Sequence, residues 1–340
     1  MRKPASLITG ASGEIGHGLI RELASRSERE VLALDLKPLG EELEDLCAAT
    51  FTGDILDPSV LQRIVSKYEI QEIYHLAALL STRAEYAPAQ AQRVNVNGTM
   101  NLFELAQAEG TKTGTPVRFL FPSSIAVYGL PDRATKAAVG RIKEDDYLVP
   151  TTMYGCNKLS CEHLGRYFSF HFNQLAKERP ICGVDFRGLR FPGLISAETL
   201  PTGGTSDYAP EMVHAAAKDE PYACFVDEDA VIPFMAMPDA IRTMTMLAAV
   251  DSDKLSRRSY NVGSFSLTGS EIKEHVLKHF PKAQISFVRD EPRARIVDSW
   301  PADVNDDAAR ADWAWKPEYG AEQMFADYLV PGVRRHYGLD

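Results

Sequence analysis

Two rhythms of apolar residues run through the first 190 positions of the chain. Short apolar runs stand at Ala5–Thr9, Val31–Asp35, Thr50–Gly53, Glu72–Ala77 and Arg118–Pro122. Between them lie longer stretches, Glu14–Ser25, Ser59–Lys67 and Pro88–Glu109, where apolar positions recur every three or four residues. Strands alternating with helices at this spacing predict βαβ units and a parallel sheet. A further helix is predicted from about Thr152 to Lys177, then a strand at Val184–Phe191. Beyond Pro192 the segments become shorter. A polar loop, Thr199–Asp207, comes first, followed by a capping box at Thr268-Gly269-Ser270-Glu271 that opens a helix over Glu271–Phe280, and by a strand at Ile285–Val288. The pattern divides into residues 1–192 and a smaller α/β lobe over 193–340, with one later segment returning to the first sheet.

The chain has 340 residues, 45% of them hydrophobic and 25% charged. That is enough for a substantial core without disulfides or structural metals. A net charge of −10 argues against nucleic acid and anionic membrane surfaces as partners. No apolar run approaches the 18 or so residues of a membrane span. The N-terminus passes from Met1-Arg2-Lys3-Pro4 directly into the first strand, with no room for a targeting peptide. Five cysteines, an odd number with no C-x-x-C pair, read as reduced thiols. The expectation is a cytoplasmic protein.

Thr9-Gly10-Ala11-Ser12-Gly13-Glu14-Ile15-Gly16 follows the first strand and opens the first helix. Glycines there let a pyrophosphate approach the backbone, and the helix N-terminus offers N–H groups and a positive dipole end. Asp35 ends the second strand at the spacing of a ribose-reading carboxylate, which would repel a 2′-phosphate. These features predict a Rossmann-type, doubly wound parallel sheet that binds NAD rather than NADP. Asp54-Ile55 would flank the adenine, and Leu76-Ala77-Ala78 places small residues where a cofactor comes close.

Tyr154 and Lys158 stand four residues apart on a predicted helix, hence on one face. A free phenol, with a pKa of about 10, is ionised only about one part in a thousand at pH 7. Positive charge from Lys158 and an oxidised nicotinamide would favour phenolate and make Tyr154 a general base for an alcohol. Ser123-Ser124 lies at the carboxyl end of the fifth strand, where open α/β sheets bind ligands. A serine there would hold the substrate oxygen. The histidine pair His275 and His279 lacks the glutamate of a zinc-protease helix and reads as a solvated face, so no metal is expected. Met235, Met237, Met244 and Met246 read as core filler, and Trp313 and Trp315 as packing anchors.

With these residues in place, the sequence resembles the extended short-chain dehydrogenase/reductases, and within them the short-chain type of L-threonine 3-dehydrogenase. The resemblance rests on Thr9–Gly16, Leu76–Ser81, Val96-Asn97-Gly98-Thr99, Pro122–Ala126 and Tyr154–Lys158. It continues through Leu189–Ser196, Gly203–Ala209, Asp298-Ser299-Trp300-Pro301 and Asp312-Trp313. It implies Gly10, Gly13, Ile15 and Gly16 on the pyrophosphate, and Asn95, Tyr154, Lys158 and Leu194 on the nicotinamide side. It further implies Ser81, Ser123, Ser124, Tyr154, Thr205, Ser206 and Trp300 around a small amino-acid substrate, and a homodimer. The chain departs from the family at Ser206, where a second threonine is usual, and over Asn173–Gly183, which lengthens the exit from the Tyr154 helix. The rival readings are a nucleotide-sugar epimerase or dehydratase, a dehydrogenase of another small β-hydroxy acid, and a non-catalytic NAD sensor.

Overall fold

Among the described residues of the computed structural model (2–178, 180–201 and 204–339), seven strands form one parallel sheet. They are β1 (Lys3–Thr9), β2 (Glu30–Asp35), β3 (Ala49–Thr52), β4 (Tyr68–His75), β5 (Val117–Ser124), β6 (Val184–Phe191) and β7 (Ser259–Asn261). Their spatial order is β3-β2-β1-β4-β5-β6-β7. Helices cover both faces, so the strands are buried on two sides and read as nearly unbroken apolar runs. The order reverses between β1 and β4, and the crevice at their carboxyl ends is where such sheets bind ligands. The second lobe packs its own core around a three-stranded sheet of Gly193–Ile195, Val231–Ala236 and Phe265–Thr268. From this lobe the chain returns: helix Met237–Ala249 packs beside Glu14–Arg26, and β7 pairs with β6.

Pro122 lies in the central strand β5, where a missing N–H would normally break a ladder. The β4–β5 pairing ends at Tyr74 and Leu120, before Pro122 is reached. On the other side β5 runs on with β6 through Ser124. Pro122 therefore lies past the end of the β4 ladder, where its missing N–H costs no bond to that strand.

Two helices differ from expectation. The helix beginning after Thr152 spans Met153–Phe170, ending well before Lys177. Asn173, which tolerates a left-handed conformation, has φ of 50°, and Phe172 folds back to stack on Phe168 with ring centroids 5.2 Å apart. The stretch expected over Pro88–Glu109 begins at Pro88–Ala91, passes through a π-helical turn at Gln92–Asn97 and continues as Gly98–Thr113. The wide turn places Asn95 inward, and such π segments recur at functional sites. The capping box at Thr268 and Glu271 forms as expected.

Gly110 is the point where helix Gly98–Thr113 meets the chain entering β6: a Cβ there would collide with the Gly183 carbonyl. That same carbonyl accepts the Val117 N–H at 2.9 Å. Gly110→Ala is therefore expected to destabilise the fold by about 1–3 kcal/mol through overpacking, read as a lowered urea midpoint with an unchanged slope.

Candidate active site

The glycine turn sits at the sheet's reversal point. Gly10 has φ of 70°, and a Cβ on it would lie 2.6 Å from the Ala77 nitrogen, so only glycine lets the turns after β1 and β4 pass each other. Gly16 meets the Ala11 carbonyl in the same way, which seats the helix on its own turn. Gly13 is exposed at the N-cap of Glu14–Arg26, and no side chain caps that helix. Its first N–H groups therefore face the crevice with the positive dipole end behind them. Ile15 is half-buried beside them. Asp35 is held over the turn: Oδ2 accepts the Ser12 N–H at 2.9 Å and Oδ1 accepts that of Lys37 at 3.1 Å. Asp54 accepts the Leu56 N–H at 2.9 Å, and Ile55 packs on Gly98. Leu76, Ala77 and Ala78 are half-buried along the opposite wall. A bare helix N-terminus, a glycine cradle and a fixed carboxylate fit a dinucleotide.

Beneath this cradle lies a buried residue that the sequence pattern did not single out. His75, at the end of β4, bridges Thr9 Oγ1 (2.7 Å) and Thr99 Oγ1 (2.8 Å). Thr99 gives its one hydroxyl hydrogen to the Asn95 carbonyl at 2.6 Å, so it must accept from His75 Nε2–H. Nδ1 is then bare and accepts from Thr9. Burial pulls the imidazole down to about 3, with the Lys158 charge adding to the effect, so it is neutral. Asn95 was expected against the nicotinamide. Instead its buried amide clamps the main chain of Leu79, accepting its N–H at 2.7 Å and donating to its carbonyl at 3.0 Å, and it reaches Asn157 at 3.2 Å. Asn95 thereby holds the main chain of Leu79 in place.

Tyr154 and Lys158 share a face of helix Met153–Phe170, whose N-cap Thr152 accepts the Gly155 N–H at 3.1 Å. The ammonium lies 5.4 Å from the Tyr154 ring centroid and 4.5 Å from that of Phe121. It donates to the Pro122 carbonyl at 2.6 Å. Desolvation pushes the Tyr154 phenol well above its ordinary value, and burial brings Lys158 down to about 8 while Cys161 and Glu162 oppose the fall. Lys158 alone does not make a phenolate. Ser124 accepts the Ala126 N–H at 3.1 Å, which keeps its own proton available to another acceptor.

Ser123, expected beside the substrate, points the other way, as alternation along a strand requires. It is 2% exposed and donates to Glu162 at 2.5 Å. Glu162 also takes two bonds from Arg190, from Nε at 2.9 Å and from Nη2 at 2.6 Å. Arg190 Nη1 donates to the Tyr128 hydroxyl at 2.8 Å, which donates onward to Asn261 at 2.6 Å.

On the substrate side, Thr205 donates to Ser81 across the crevice at 3.1 Å, so hydroxyls from both lobes already meet. Ser206 packs over Gly193, and Leu194 is half-buried in the strand that leaves the Rossmann sheet. Thr202 and Gly203 of the same loop lie outside the described residues. Trp300 is buried in the second lobe's core, against which Tyr154 also packs, and its indole N–H has no partner among the described residues. The stretch before it is tied down: Lys136 donates to the Val297 carbonyl at 2.9 Å, and the Ser299 carbonyl accepts the Leu130 N–H at 2.8 Å. His275, read as part of a solvated face, instead stacks flat on Phe325 with centroids 4.6 Å apart. Met235, Met237 and Met244 are core residues, as are Trp313 and Trp315.

Residues 6–263 match the NAD dependent epimerase/dehydratase family. The mitochondrial L-threonine 3-dehydrogenase of Bos taurus is 32% identical over 324 residues, covering 95% of this chain and 81% of that protein. Among solved structures, a GalE-like L-threonine dehydrogenase from Cupriavidus necator in its holo form superposes with a TM-score of 0.85 at 38% identity, covering 97% of this chain and all of that one. L-threonine 3-dehydrogenase from Trypanosoma brucei gives a TM-score of 0.86 at 31% identity, with 98% of each chain covered. Glycine cradle, Asp35 and the Ser124, Tyr154 and Lys158 set thus stand in a chain that belongs to the NAD-dependent epimerase/dehydratase family of extended short-chain dehydrogenase/reductases.

Proposed function

We propose that this protein is an NAD-dependent dehydrogenase that oxidises the side-chain hydroxyl of L-threonine to 2-amino-3-ketobutyrate. The reading is carried by Tyr154 and Lys158 on one face of helix Met153–Phe170, with the Lys158 ammonium on the Pro122 carbonyl two residues before Ser124, in a chain similar over nearly its whole length to threonine dehydrogenases. When bound, NAD supplies the acceptor for the hydride leaving the substrate Cβ. Gly10, Gly13, Ile15 and Gly16 would hold the pyrophosphate, Asp35 the adenosine ribose, and Asp54 and Ile55 the adenine. Leu76, Ala77, Ala78 and Leu194 would pack along it, with Tyr154 and Lys158 at the nicotinamide end. Ser124 orients the hydroxyl, and Tyr154 takes its proton. Ser81, Thr205, Ser206 and Trp300 hold or cover the polar ends of the amino acid.

The state of Tyr154 gives the step its order. Desolvation keeps the phenol protonated in the free protein, so the base form requires positive charge beyond Lys158. Proton abstraction therefore waits on the cofactor, which guards against idle ionisation. Five unpaired cysteines support a reducing, cytoplasmic setting, and no helix among the described residues is long and apolar enough to cross a membrane. Helices Gly98–Thr113 and Met153–Phe170 present partly exposed Leu105, Leu164 and Tyr167 outward, a face suited to pairing in a homodimer.

NADH formation with L-threonine, and none with UDP-sugars, is the expected result of a spectrophotometric assay across both substrate classes. Tyr154→Phe should lower kcat by about 10²–10⁴-fold while NAD binding by fluorescence persists. Ultraviolet difference titration should find the Tyr154 phenol un-ionised beyond pH 10 in the free protein and shifted downward once NAD is added. Light scattering after gel filtration should give twice the 37.6 kDa of one chain.

A further inference from the structure

Glu162 touches neither crevice nor solvent, yet its carboxylate meets each part of the chain that the reaction needs aligned. Glu162 lies one helical turn beyond Lys158 and two beyond Tyr154, on the same helix face. Through Ser123 it grips the end of β5, one residue before Ser124. Through Arg190 it grips β6, four residues before Leu194 and the crossing into the second lobe. Arg190 in turn donates to the Glu144 carbonyl at 2.5 Å and, through Tyr128, reaches Asn261 of β7. The Asn261 N–H goes to the Glu144 carboxylate at 3.2 Å. Each of these groups is buried. A carboxylate packed this way is costly unless paired, and here every oxygen has partners.

We propose that Glu162 and Arg190 are positioning residues for the reaction, one buried carboxylate joining the three segments that carry Ser124, Lys158 and Leu194. Glu162 has two effects. It fixes the rotation of the helix, so that the phenol and ammonium face the serine. It also places a negative charge behind Lys158, which opposes the downward pull of burial on the ammonium. The groups facing Lys158 are Cys161 and Glu162 on its own helix, Tyr154 one turn back, and His75 from β4, which is neutral. Glu162 is the charged partner among them that sustains the ammonium. Arg190 keeps that carboxylate ionised and links the helix to the strand entering the second lobe.

This inference rests on the proposed dehydrogenase reading for its kinetic consequence but not for its electrostatic one, so two measurements separate them. In protein carrying ε-13C lysine, the Lys158 resonance is assigned by its loss in Lys158→Met and titrated by NMR without substrate. The native midpoint is expected near 8. In Glu162→Gln it should fall by about one pH unit, a tenfold change in the proton equilibrium. In the same variant kcat for threonine should drop at least about tenfold, while KM for NAD moves less than about threefold. Should Glu162→Gln fail to fold, Glu162→Leu combined with Arg190→Met leaves no lone buried charge and takes the same measurements. A lowered midpoint with reduced kcat bears the proposal out. An unmoved midpoint, or a moved one with kcat intact, overturns it, even if thermal stability falls. A native protein that reduces no NAD with threonine overturns the functional reading alone, because the titration needs no substrate.

Discussion

Two backbone turns, one after β1 and one after β4, pass so closely that a single methyl group would not fit between Gly10 and Ala77. This approach sets the geometry of the crevice. It brings a helix N-terminus, a carboxylate at the end of β2 and the wall of small residues after β4 within reach of one extended ligand. Pro122 then lies past the end of β4, and its carbonyl receives the Lys158 ammonium. Both devices are backbone features, so they depend less on side-chain packing than on which residues lack a Cβ or an N–H.

Buried polar groups make the second layer of the design. His75, Asn95, Glu162 and Arg190 are all enclosed. Each makes bonds that join elements far apart in the chain: β1 to the helix after the π turn, the wall of the crevice to the Tyr154 helix, and β5 to β6. Such groups are costly to bury and costly to leave unpaired, which makes their arrangement nearly all-or-none. Their effect is to hold the reactive set with little play.

The order of elements, the glycine turn, Asp35 and the Tyr154–Lys158 pair were legible in the sequence because each is written locally, as a period or a short spacing. What was not legible depends on contacts across the fold. Ser123 and Ser124 look equivalent in the chain, and only the direction of β5 decides which one turns inward. Nothing in the neighbourhood of Asn95 announces that its amide is committed to Leu79. The burial that opposes ionisation of Tyr154 has no local signature.

The neutral imidazole under the cradle carries a consequence for how the protein responds to acid. Histidine is the side chain whose ordinary titration falls in the physiological range, and one so near a cofactor would be the natural proton sensor. By burying the ring away from water, with the Lys158 charge nearby, the fold moves that ionisation to about 3. Mild acidity thus leaves the floor of the nucleotide cradle electrically silent, and sensitivity in the middle of the pH scale passes to the ammonium beside the phenol.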